Sequence, residues 1–210
     1  MTKLFLFLLC ALLLAAHPAR AVDIVEVTAP KTGIKAWLVQ DHTLPIVALR
    51  LAFRGGSEQD PVDKQGLENL TVDLLTEGAG NYSSDAFQKQ LAAHSISIGL
   101  GAERDEISGG LKCLSDDKAR AFDLLHVALT KPRFDTKDIE RLRARQLAMI
   151  RQQYADPSWQ ARFTLFSQIF AGHPYGERHL GSEQTLASIT RADIVSFAGT
   201  HLARDNLVIG

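Results

Sequence analysis

The sequence predicts an α+β domain, a largely antiparallel sheet covered on one face by helices. Strand-like segments come as hairpins instead of alternating singly with helices. Amphipathic helical segments are grouped between those hairpins, and no repeat or low-complexity linker breaks the order. That grouping favours antiparallel pairing over a doubly wound parallel sheet.

Ile24 to Thr28 and Lys35 to Gln40 read as two strands joined by a turn at Lys31-Thr32-Gly33. Pro45 opens a third strand, Ile46 to Phe53, which ends at Gly55-Gly56. After a polar loop, Ser57 to Lys64, the residues Leu67, Leu70, Thr71, Leu74 and Leu75 recur at the spacing of one buried helix face. Gly78 and Gly80 are the stop signals of that helix. A second helix follows over Ser84 and Phe87 to His94. Ile96-Ser97-Ile98 and Glu106 to Leu114 then read as strands around an Arg104-Asp105 turn. Ser115-Asp116-Asp117 is expected to cap a helix that runs through Thr130. Three more helices are expected over Thr136–Tyr154, Ser158–Ala171 and Arg191–Leu202, and Asn206 to Gly210 returns to strand character. A chain ending inside an apparent strand reads as a domain truncated at its C-terminal end.

The first 21 residues stand apart from residues 22–210. A cationic start at Lys3, the apolar run Leu4 to Ala16, and Ala19-Arg20-Ala21 have the form of a cleavable signal peptide. As a helix the apolar run would reach about 20 Å, short of a ~30 Å hydrocarbon core. The expectation is an exported protein, periplasmic or secreted, with no membrane attachment after cleavage. Removing Lys3 and Arg20 takes the formal net charge from −1 to about −3. With no basic stripe, nucleic acid is not an expected partner. Beyond the signal segment only Cys113 remains, so no internal disulfide is available, and its apolar neighbours predict a buried strand position.

The residues alone define no catalytic centre. The histidines His42, His94, His126, His173, His179 and His201 form no H-x-x-x-H or H-E-x-x-H pair, and no C-x-x-C is present. A G-x-S-x-G elbow and phosphate-binding glycine loops are also missing. His126, flanked by Leu124, Leu125 and Leu129, reads as a core histidine.

A set of short motifs in fixed order says more. Phe53-Arg54-Gly55-Gly56-Ser57 is followed by Asp60-Pro61 and Gly66-Leu67. Pro132-x-Phe134, Ile139-Glu140-Arg141, Asp156-Pro157, His173-Pro174-Tyr175-Gly176, Gly181, Thr190-x-x-Asp193-Ile194 and Asn206 come after. In this order they resemble the N-terminal domain of the pitrilysin/insulinase zinc peptidases, across roughly residues 24–210. The resemblance implies the fold predicted above. It also implies that active relatives carry H-x-x-E-H on the helix after Gly-Leu, two histidines holding zinc and the glutamate activating water. A glutamate about 76 residues beyond the second histidine completes that ligand set.

By that register Asn69 stands at the first histidine, Val72 at the catalytic glutamate, Asp73 at the second histidine and Met149 at the distant ligand. Leu142 replaces a further glutamate, and Ile139, Leu142, Met149 and Ile150 are expected to form one apolar stripe. No zinc or other cofactor is expected for this chain. Asn69, Asp73 and Glu77 form an i, i+4, i+8 row that could hold a hard cation or simply be a polar face. Glu68 is no substitute base, because it projects about 40° further round the helix than Val72.

The resemblance therefore implies a non-catalytic homologue that pairs with an active zinc peptidase subunit and helps bind extended peptides. Such families bind peptide along a sheet edge, expected here at Leu100-Gly101-Ala102-Glu103. A purely structural assembly module and an active metallopeptidase with relocated ligands are the alternatives.

Overall fold

The computed structural model describes residues 23–210. The predicted signal segment lies outside the described residues, apart from which the α+β expectation holds. Six strands form one sheet: β1 (Ile24–Thr28), β2 (Lys35–Val39), β3 (Ile46–Arg54), β4 (Ser97–Ala102), β5 (Glu106–Leu114) and β6 (Leu207–Ile209), in the order β1-β2-β6-β3-β5-β4. Only the β2–β6 pair is parallel, through Ala36 and Ile209. The long β3–β5 ladder runs in register from Ile46 opposite Leu114 to Arg54 opposite Glu106. Strand β4 pairs with β5 alone and is an edge.

The pleat puts alternate side chains on opposite faces. Leu51 and Phe53 of β3 and Ile107, Leu111 and Cys113 of β5 are buried on one face, while Arg50, Arg54, Glu106 and Lys112 are exposed. Against the buried face lie α1 (Leu67–Leu74), α2 (Ser84–Ala93) and α3 (Lys118–Thr130). The long α4 (Thr136–Ala155) packs on α1 from the far side, with α5 (Pro157–Ile169), α6 (Glu183–Ser188) and α7 (Arg191–His201) completing the helical layer. Among these described residues no helix is long and apolar enough to cross a membrane.

Several helix starts follow from local chemistry. The Ser83 hydroxyl accepts from Ala86 N, and Asp156 caps α5 with Pro157 in the first turn. Reciprocal capping boxes join Ser182 with Thr185 and Thr190 with Asp193. Gly66 has φ 90, and a Cβ there would strike the Leu180 carbonyl and Gln146, so only glycine fits this entry to α1.

The structure corrects several expectations. Strand β4 starts one residue later than Ile96 and runs on to Ala102, because its partner β5 offers a continuous ladder. Glu103 lies beyond the strand, in the turn, where its N–H donates to the Glu106 carbonyl. Ser115-Asp116-Asp117 forms a 3-10 turn leading into α3, with no side-chain cap bond. The Ser57–Lys64 loop contains two 3-10 turns, and α6 was not expected at all. Helix α1 ends at Leu74, ahead of Gly78. His126 is exposed: the buried stripe of α3 is Ala121, Leu124, Leu125 and Ala128, and the histidine points off it. Cys113 is buried in β5 as expected.

Candidate functional site

Helix α1, on which the expected zinc positions Asn69 and Asp73 lie, is held from both ends of its approach. The Asp60 carboxylate accepts from Gly66 N (2.9 Å) and Glu68 N (3.0 Å), meeting free amides at the start of α1. Gln146, buried in the middle of α4, donates through Nε2 to the carbonyls of Gly66 (3.1 Å) and Leu180 (2.9 Å). Three segments distant in sequence thus meet at the entrance to α1. The residue at the base position, Val72, is 2% exposed and packed in the core.

On the outward face of α1 the positions that would hold metal meet cations instead. Arg145 Nη2 of α4 donates to Asp73 Oδ2 at 2.6 Å. One helical turn along, Arg141 Nη2 donates to Glu77 Oε2 at 2.7 Å and to Asp138 Oδ1 at 3.2 Å. Ser84 Oγ also donates to Glu77. Asp73 on α1 and Glu77 in the bend beyond it therefore face α4 across a polar seam, each carboxylate matched by a guanidinium group. A cation brought to Asp73 would face Arg145 at hydrogen-bond range.

The expected apolar stripe on α4 is only partly right. Ile139, Leu142 and Ile150 are buried, but Met149 is 41% exposed, and Gln146 occupies the fourth buried place. Met149 follows Arg141 and Arg145 at four-residue steps, along the edge of the helix that looks toward the seam. A thioether is a soft, weak ligand, poorly suited to stand beside amide and carboxylate oxygens around zinc. Asn69, Val72, Asp73 and Met149 together do not fit the zinc set of active relatives.

The burial of Glu68 is what pattern reading did not anticipate. The residue is 1% exposed, and neither carboxyl oxygen has a partner among the described residues. Burial, with the nearby Asp60 and Glu103 charges adding to it, pushes its pKa up to about 9. Burial likewise pushes Asp60 up to about 7, against the pull of the amides it accepts from. At neutral pH Glu68 is a protonated acid sealed from solvent, which rules it out as a water-activating base. The available signal was its place between Leu67 and Leu70-Thr71, residues of the buried face of α1.

The expected peptide-binding run divides in two. Leu100, Gly101 and Ala102 lie in the edge strand β4, while Glu103 sits in the turn that follows. The outer side of β4 has no neighbouring strand among the described residues.

Fold and substituted helix together define a degenerate zinc-peptidase domain, and the comparisons agree. Residues 35–182 match the insulinase family, peptidase family M16, and the chain belongs to that family. A non-peptidase homolog, YmxG, of Helicobacter pylori is 26% identical over 155 residues, 74% of this chain and 36% of that protein. The mitochondrial-processing peptidase subunit beta of Lentinula edodes is 23% identical over 158 residues, 73% of this chain and 33% of the relative. Among solved structures, the peptidase M16 inactive domain from Pseudomonas fluorescens superimposes with a TM-score of 0.84 at 27% identity. That match covers 90% of this chain and 46% of the other. Pitrilysin, at 19% identity and a TM-score of 0.78 over 91% of this chain and 21% of its own, shares the fold. The chain thus spans about a third of the length of these curated relatives.

Proposed function

We propose that this protein is a non-catalytic M16 homologue that pairs with an active zinc peptidase of the same family and helps hold extended peptide. The observation carrying the first part is the Arg145–Asp73 pair, which sets a cation against the residue expected at a zinc-ligand position. With Val72 at the base position, nothing on α1 generates a hydroxide nucleophile. The relatives described as a non-peptidase homolog and an inactive domain support the same reading.

The unpaired edge of β4 supports the peptide role over a purely structural one. An edge strand offers unpaired N–H and C=O groups to an added chain. The signal-like segment supports action in the periplasm or outside the cell.

Co-expression with a homologue that retains H-x-x-E-H tests the pairing. The expected result is a stoichiometric complex on size exclusion with peptidase activity that the homologue alone lacks. A stable monomer that leaves the homologue's activity unchanged would overturn it. For the edge, a peptide N-methylated at alternate residues should lose binding that its unmethylated form shows.

A further inference from the structure

Helix α5 is unlike the rest of the helical layer, since none of its residues is buried. Its inner side is nevertheless aromatic. The Trp159 and Phe163 rings stack at 5.1 Å with planes 3° apart, and Tyr154 from the end of α4 leans on Trp159 at 5.9 Å. The Arg178 guanidinium lies 4.6 Å from the Phe163 centroid and 5.1 Å from that of Tyr154. Cation and rings form a built wall.

That wall lines a cavity of about 250 Å³ into which Arg104, Arg162 and Arg178 all reach. None of the three makes an ion pair with a carboxylate among the described residues. The one carboxylate in the lining, Glu177, accepts a hydrogen bond from Gln65. Burial, followed by the Arg104 charge, lowers the His179 pKa below the usual imidazole value. The cavity is thus aromatic-walled and cationic, an environment that suits a carboxylate attached to an apolar or aromatic neighbour.

The cavity shares lining residues with two other hollows. Arg104 and His179 also line a larger hollow of about 630 Å³, together with Ala102, the last residue of the edge strand, and the carboxylates of Glu103, Asp105 and Glu106. On the other side Trp159, Phe163 and Arg178 continue into a further hollow beside Tyr154. Neighbouring hollows of this kind offer a groove along which a chain could lie, its side chains read in passing.

We propose that this groove receives an acidic side chain of an extended peptide that leaves the β4 edge, with Arg104 and Arg162 as the carboxylate contacts and the α5 aromatics as the wall. The inference rests on the reading of β4 as a peptide-binding edge. It adds to that reading a preference for Asp or Glu in the peptide.

The test uses an acetylated, amidated peptide of alternating threonine and valine with a central Glu-Phe, and its Gln-Phe counterpart. Binding to the purified chain is followed by calorimetry and by Trp159 fluorescence in a Trp37→Phe background. The Glu peptide should bind about tenfold more tightly than the Gln peptide, the scale of one charge-assisted contact. In Arg104→Gln/Arg162→Gln the two peptides should bind alike, at the affinity of the Gln peptide. Arg178 is left intact because its ring contacts hold the wall together.

Equal, N-methylation-sensitive binding of both peptides to the unaltered chain would sink this inference and leave the edge reading standing. Failure of both peptides to bind would sink both. A Glu preference that survives the double substitution would place the carboxylate elsewhere. A Gln peptide with a free C-terminus that matches the amidated Glu peptide would assign the groove to chain ends and overturn the side-chain assignment.

Discussion

Arg145 Nη2 donates to Asp73 Oδ2 across 2.6 Å, tying the long helix α4 to the helix that carries zinc in active relatives. The pair is partly solvated, with Arg145 52% and Asp73 32% exposed. Its weight is therefore modest. A double-mutant cycle of Asp73→Asn and Arg145→Gln by urea denaturation should give a coupling of about 0.5–1 kcal/mol. A coupling indistinguishable from zero would make the contact incidental.

The same pair governs any attempt to rebuild the metal site. Asn69→His, Val72→Glu, Asp73→His and Met149→Glu restore the donor types of active relatives. In that background Arg145 remains as a cation beside the new ligand and opposes zinc. Adding Arg145→Gln should raise zinc affinity about tenfold, read by calorimetry, and a fifth substitution without effect would show that Arg145 swings clear.

Glu68 predicts an unusual pH dependence. Its folded pKa, about 9, lies above its ordinary value of 4.5, so the folded state holds a proton that the unfolded chain has released across that window. Stability then falls as pH rises through the window and levels off above it. Asp60, pushed up to about 7, adds to the fall at lower pH, leaving Glu68 to act alone between pH 7 and 9. Thermal denaturation of the unaltered chain should show Tm dropping over that interval. Glu68→Gln should flatten the profile and stabilise the protein by about 2 kcal/mol at pH 9. Parallel profiles for the two proteins would place the titrating group elsewhere.

Gln146 is the other buried polar group with a definable task. Gln146→Ala removes the donor shared by the Gly66 and Leu180 carbonyls and opens a cavity between α4 and the start of α1. The expected loss is about 2–3 kcal/mol in chemical denaturation. Gln146→Glu should also destabilise, because a carboxylate donates to neither carbonyl and a protonated carboxyl has one proton for the two.

Much of this protein was legible before folding was considered. Alternation in Ile46–Phe53 and Glu106–Leu114 marked the two central strands, and the Leu67-Leu70-Leu74 spacing marked the inner face of α1. Local periodicity suffices there because a strand or helix with one buried face records that face in its own residues. The expectation that Asn69, Val72, Asp73 and Met149 replace the zinc set came from the family register together with residue type at those positions.

Other features depended on segments that meet only in three dimensions. Glu68 and Gln146 look like surface residues by type, yet both are buried because the chain around Asp60 and Leu180 closes over them. His126 and Met149 went the other way, placed outside by a phase of the helix that their apolar neighbours did not reveal. Helix α6 is too short for periodicity to register and owes its start to the Ser182–Thr185 capping box. The sequence by itself thus determined the fold class, because that is written in residue type and spacing along each element. Tertiary structure alone decided that Arg145 neutralises Asp73 and that three arginines meet the aromatic wall of α5, because electrostatic partners are chosen by distance in space.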